Sequence, residues 1–199
     1  FGWGKTGHRV IGKIAEENLT PAAKEKISEL VGHTDLASIA NWADEIKSDP
    51  AWDHSHDWHY CTILEGHEYE GPEAGGYAVK KVTEFSALLK KGTLGKKDQL
   101  DETNLHRVWD SQMIDGMQYS YTEYAQQIQL GLSEEKKQSM LDPNILSFVN
   151  HSRSVHKQVY DIGEGKLSYE YVYKNRELME DQLLNAGYHL AAILNDIFK

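Results

Sequence analysis

Cysteine is almost absent from this chain. Cys61 stands alone among 199 residues, so no intramolecular disulfide can form and the fold has to be held by its core. Positive charge is also short. Twenty-one Lys and Arg face 31 Asp and Glu, a formal net charge of −10, which is unfavourable for holding nucleic acid through basic side chains alone. If phosphate is the substrate, bound cations have to supply the missing positive field. No apolar run approaches the length of a bilayer span, so no membrane association is expected. Internal repeats and low-complexity tracts are missing, and alternating strand signals are scarce. Only 168–173 could pass for a short strand, and Tyr169, Tyr171 and Tyr173 fit the start of a final helix equally well. The chain also opens without methionine. Phe1-Gly2 reads as the remnant of a signal peptide, so an exported protein, periplasmic or secreted, is expected.

What is present is helical. The length suits one domain with its own core. Val10, Ile11, Ile14, Ala15 and Leu19 make one amphipathic stripe. Thr20-Pro21 reads as an N-cap followed by proline at the first helical position, and that helix runs through Ile27, Leu30 and Val31 to Gly32. Further helices are expected over 36–46, closed by Pro50, and over 77–89, ended by Gly92. Another runs from an Asp142-Pro143 cap through Leu146, Val149 and Val155 to Tyr160, and the longest covers about 171–198. Loops are expected over 48–55, 66–76 and 92–97. The expectation is a single all-α domain, a helical bundle spanning 1–199.

Ten histidines are many for this length, and three stretches pair one with a second ligand type. Trp3 and His8 lie at the start. Asp44 and His59 lie in NWADEIKSDPAWDHSHDWHY. His106 and Asp110 sit four apart in NLHRVWD, a spacing that puts both on one helix face within reach of one ion. Each also has a plain structural reading. Trp3 can plug the chain end into the core, Asp44 can be a solvated carboxylate, His59 a satisfied core histidine, and His106–Asp110 an ordinary helix pair. His54 and His56 read as loop decoration, and His33, His67, His151, His156 and His189 as structural or surface. Cys61 reads as a buried, inert thiol.

Taken in order, WGKTGHRVIGKIAEENLT, NWADEIKSDP, WHY, and NLHRVWDSQMID followed by YTEYA resemble the S1/P1 nuclease family, of the phospholipase C/P1 nuclease superfamily, over nearly the whole chain. The resemblance implies a helical bundle of that type with three zinc ions (Zn2+) per chain. It also implies hydrolysis of phosphodiesters in single-stranded DNA and RNA to 5′-phosphates, with removal of 3′-phosphates from nucleotides. A monomer is expected. Residue by residue, it implies that the α-amino nitrogen and carbonyl oxygen of Trp3 bind one zinc beside His8, which needs cleavage after Gly2. Asp44 and His59 would hold a second ion, and His106 and Asp110 a third. Asp44 and Lys47 are then the catalytic candidates, with Lys47 on the scissile phosphate. Tyr60 would stack a base, and Asn104 would orient ligands or bind base unless it is a helix N-cap.

One departure stands out. Family members carry, ahead of NLHxxWD, a helix with His and Asp four apart, a His-Gln-Pro-Leu-His run and a glycine-rich loop. This chain passes from KKDQLDE straight into TNLHRVWD. The domain is therefore expected to lack a ligand-bearing helix and loop between about 102 and 103. Two other functions stay open. One is a shortened homologue, catalytically impaired or non-catalytic, that binds metal or nucleotide. The other is a phospholipase C-like phosphodiesterase, for which a mean hydropathy of −0.61 offers no obvious apolar rim.

Overall fold

The computed structural model describes residues 3–45, 49–91, 108–162 and 169–199; among them there are helices and loops and no strand. The fold is all-α, as expected. The first helix, α1 (Lys5–Glu17), buries Val10, Ile14 and Ala15 of the stripe read from the sequence, together with Gly7 and Gly12, while Ile11 is half-buried and Leu19 lies past the helix end. The helix packs along α12 (Tyr169–Ile197), the longest element, whose residues from Gln182 to His189 are buried on every face. The two come into direct contact because Gly187 has no side chain. A Cβ there would lie 2.5 Å from Ile14 Cγ2. Ile14, Ile114, Met179 and Leu183 are fully enclosed in the main core, each stabilising the fold by about 1.5–3 kcal/mol through apolar burial.

A second, smaller cluster joins Ala15, Leu19 and Ala191 to α2 (Pro21–Val31) and α3 (Leu36–Ile39). Thr20 caps α2 by accepting the Ala23 N–H, and Gly32 ends it at φ +71°. Both signals were read correctly.

The 36–46 helix is broken. It consists of α3 and a separate turn, α4 (Trp42–Glu45), because the chain bends at Ala40 and Asn41. The stretch read as a loop after Pro50 is a 3₁₀ helix, Pro50–Trp58. Its inward residues Trp52 and Ser55 are three apart, one turn of a 3₁₀ helix rather than of an α-helix, so a 3.6-residue period does not find it. After the turn α5 (Pro72–Gly75), helix α6 (Ala78–Lys90) falls where expected.

A π turn over Val108–Gln112 runs into α7 (Met113–Asp115). Helices α8 (Tyr121–Gln129) and α9 (Glu134–Met140) follow, and neither was anticipated. Helix α10 (Ile145–Ser154) is capped by Asn144, whose side chain accepts the Leu146 N–H, rather than by Asp142. It stops at Val155, and α11 (His156–Val159) is a separate turn. Tyr169, Tyr171 and Tyr173 belong to α12, not to a strand.

Candidate active site

His8 lies in the second turn of α1, its N–H bonded to the Gly4 carbonyl at 2.9 Å. One turn later Gly12 lets another backbone come down onto the helix. A Cβ there would lie 2.9 Å from the Leu36 carbonyl oxygen and 3.0 Å from Ala37 Cα. Asp35 caps α3 by accepting the Ser38 N–H at 2.6 Å, and Ser38 holds the Asp35 carboxyl below its usual range. The Leu36 N–H reaches Glu16 Oε1 at 3.3 Å. So anchored, the chain bends, and the Asn41 carbonyl accepts the Glu45 N–H at 3.0 Å to open α4.

That path brings two oxygens to one nitrogen. His8 Nδ1 is 3.2 Å from Asn41 Oδ1 and 3.2 Å from Asp44 Oδ2. Asn41 is 6% exposed, and the side chains of His8 and Asp44 are partly shielded. A carboxylate facing Nδ1 favours the proton on that nitrogen and leaves the lone pair on Nε2.

Beside this pair, the 3₁₀ helix is fixed at both ends by aromatic rings. Trp52 is buried and meets Trp42 edge to face at 5.8 Å, tying the helix to α4. Trp58 meets Phe85 of α6 at 5.9 Å, and Lys81 Nζ lies 4.1 Å above the Trp58 ring. His54 stacks on Trp52 at 6.4 Å. His59 is the C-cap residue of this helix and is exposed. Tyr60 is 44% exposed, and its hydroxyl donates to Asp57 Oδ1 at 2.7 Å, which raises the phenol above its ordinary range. The ring lies against the backbone of Gly76 (φ +99°), where a Cβ would come within 2.6 Å of Tyr60 Cδ2.

Of the residues singled out in the sequence, the described contacts unite His8 with Asp44, a pairing across two of the expected ion sites. The Trp3 ring is buried in the main core. Asp110 lies on the π turn next to the buried Trp109, its side chain outside the description. Lys47, Asn104 and His106 lie outside the described residues, as does the expected junction at 102–103. Cys61 is half-buried rather than buried, and burial pushes its thiol up. Asn41 was missed. Its place three residues before Asp44, which the expected 36–46 helix would have put on one face, was the available signal.

Histidine nitrogen with carboxylate oxygen is a donor pair that suits a borderline divalent ion such as zinc. Two donors on one tetrahedral zinc lie about 3.4 Å apart, close to the spacings at His8. Among the described residues, however, no group of three His, Cys, Asp or Glu side chains could hold a metal ion.

The family model described as S1/P1 Nuclease matches residues 3–102 and again 97–199. Endonuclease 2 of Arabidopsis thaliana is 24% identical over 267 residues, covering 99% of this chain and 91% of the relative. Nuclease S1 of Aspergillus oryzae (strain ATCC 42149 / RIB 40) is 22% identical over 262, covering 98% and 91%. Endonuclease 4 of Arabidopsis thaliana is 43% identical over 61 residues, 29% of this chain and 20% of its own. An aligned span of 267 against a chain of 199 leaves at least 68 positions with no residue here. With its sequence covered almost from end to end by that model, the chain belongs to the S1/P1 nuclease family.

Proposed function

We propose that this chain is a zinc-dependent nuclease that hydrolyses phosphodiesters in single-stranded DNA and RNA to 5′-phosphates and removes 3′-phosphates from nucleotides. The observation that carries this reading is the approach of His8 to Asp44 at 3.2 Å, two residues that stand far apart in the sequence and match the family's ligand positions. Family membership supports the hydrolase chemistry, and the family is in general zinc-dependent. Zinc, when bound, brings the pKa of a bound water toward about 7 and offsets phosphate charge. His8 and Asp44 would hold it, and Asn41 keeps the imidazole turned toward the carboxylate. A count of three ions would draw on His59, His106, Asp110 and the Trp3 end, with donors beyond those described.

The remaining roles belong to this chain's own side chains. Tyr60 offers an exposed ring on which a base can stack irrespective of sequence, worth about 1–3 kcal/mol. Lys47 would neutralise the phosphate, Asn104 would contact base, and the protein would act after export.

The test is cleavage of labelled single-stranded oligonucleotides by the full chain, with chelator and with zinc restored. Cleavage should vanish and return, and Asp44→Asn should lower it by about 10–100-fold or more. A zinc-loaded protein that leaves the oligonucleotides intact refutes the reading. The at least 68 unmatched positions favour a second one, a shortened homologue that binds metal or nucleotide without turnover. Zinc retained without cleavage is its signature.

A further inference from the structure

We propose that the exposed face at the start of α12, formed by Tyr169 and Tyr173, is a docking surface for a Lys- or Arg-rich segment of a partner protein. It uses none of the residues of the nuclease reading and stands independently of it.

The apolar part of the surface comes first. Tyr169 is 94% exposed and Tyr173 87%. Four residues apart on one helix, they stand on one face about 6 Å apart along the axis. Among the described residues neither side chain makes a hydrogen bond or a ring contact. The tyrosine between them shows what a structural role looks like. Tyr171 is buried, takes the Trp109 indole N–H and donates to the Val159 carbonyl. Its two neighbours contribute nothing of that kind. Their rings together present roughly 300–500 Å², the size at which an exposed patch marks a contact site. Tyr160, 58% exposed, lies beside them, because Lys174 holds Asp161 against the same end of α12 at 2.6 Å.

Charge decides what covers the rings. Glu170 and Glu177 stand three before and four after Tyr173, its neighbours on the helix surface. Both are exposed, and neither forms an ion pair among the described residues. The nearby cations are already engaged, Lys174 with Asp161 and Arg176 Nε with Glu180 Oε1 at 2.9 Å. A basic side chain arriving from outside would lie on a tyrosine ring, drawn by its π face, and meet an unpaired carboxylate beside it. The chain makes the same contact internally: Arg9 Cζ lies 4.3 Å over the Tyr121 ring and Lys81 Nζ 4.1 Å over the Trp58 ring. A net charge of −10 attracts such a partner from a distance. A polynucleotide could stack on the rings, but it would set phosphates beside Glu170 and Glu177. A second copy of this chain would bring like charge to like charge.

The test titrates the full chain at low salt with a short, end-blocked peptide of alternating Arg and Gly, followed by calorimetry. Binding that weakens as salt is added is expected. Tyr169→Ser with Tyr173→Ser should weaken it by at least about 10-fold, and Glu170→Gln with Glu177→Gln by several-fold. The control is Glu25→Gln with Glu29→Gln, the same change of charge on exposed positions of α2. That helix packs by Ala191, roughly 30 Å further along α12, and its variant should bind like the parent. All six positions are exposed, so thermal melts of the variants should match the parent. No binding of the peptide, or binding that the tyrosine pair leaves unchanged, overturns the proposal. Equal weakening by the two glutamate pairs overturns it too, since the peptide would then sense only overall acidity. Oligothymidylate bound more tightly than the peptide, and lost in the tyrosine variant, assigns the face to a polynucleotide instead. A sedimentation mass that rises with concentration, and returns to the monomer value in the tyrosine variant, assigns it to a second copy. Either result sinks the proposal.

Discussion

The Trp109 indole N–H donates to the Tyr171 hydroxyl at 2.9 Å, and that hydroxyl donates in turn to the Val159 carbonyl at 2.6 Å. This buried relay joins the π turn, α12 and α11, and it fixes the backbone next to Asp110. The removal of one oxygen should therefore be felt. Tyr171→Phe keeps the ring but leaves an indole N–H and a backbone carbonyl unpaired in the interior. The expected loss is about 2–4 kcal/mol in urea unfolding. A loss under about 0.5 kcal/mol would mean that water takes the vacated place and that the relay is not a tie.

Gly12 and Gly187 allow a paired test of what positions the site. Gly12→Ala puts a methyl 2.9 Å from the Leu36 carbonyl oxygen, against backbone that cannot swing away. It should push α3 off α1, costing about 1–3 kcal/mol, and draw Asn41 and Asp44 away from His8. Zinc affinity should then fall together with stability. Gly187→Ala crowds Ile14 Cγ2 at 2.5 Å on the far contact of α1 and should cost a similar amount with zinc affinity retained. Equal zinc affinities in the two variants would deny that the α1–α3 approach sets the site.

Much of this architecture was legible because it depends on local chemistry. The stripe of α1, the Thr20 cap and Gly32 stop of α2, and α6 all follow from side-chain spacing and cap preferences. The 3₁₀ helix was hidden because it repeats every three residues, and the break at Asn41, whose side chain meets His8, because helix propensity carries no long-range contact. Helices α8 and α9 were overlooked despite Ser120 and Ser133, which cap them. The site was legible only in part. Order along the chain picked out His8 and Asp44, but which ligand meets which is a long-range fact that spacing does not hold.

The Ser120–Glu123 capping box gives a prediction far from any site. Ser120 Oγ accepts the Glu123 N–H at 3.2 Å, and Glu123 Oε2 accepts the Ser120 N–H at 2.9 Å. The box starts the helix that carries the buried Tyr124, Ala125 and Ile128. Ser120→Ala should cost about 1 kcal/mol, and Ser120→Asp, which keeps an acceptor, clearly less. Thermal melts of the two variants decide the matter. Equal midpoints would show that the hydroxyl does not contribute as a cap.

His189 should make the fold weaken in mild acid. Its Nδ1 is buried with no partner, and Phe148 meets the ring edge to face at 5.3 Å. Burial lowers its pKa below the ordinary value. A hydrogen bond to the Asp142 backbone and the Asp142 carboxylate oppose that shift, and His151 adds to it. The sign follows from proton counting. Above about pH 6.5 the imidazole is neutral in both folded and unfolded chains, and the stability is fully present. As the pH falls below that value the unfolded chain takes up a proton that the folded chain refuses, so stability drops until the folded pKa is passed. Urea unfolding at pH 7.5 and 5.5 should therefore show a loss in acid that His189→Gln reduces, since glutamine carries no titrating group. If parent and variant lose the same amount, the acid sensitivity comes from other groups and the neutral, buried state of His189 is not its source.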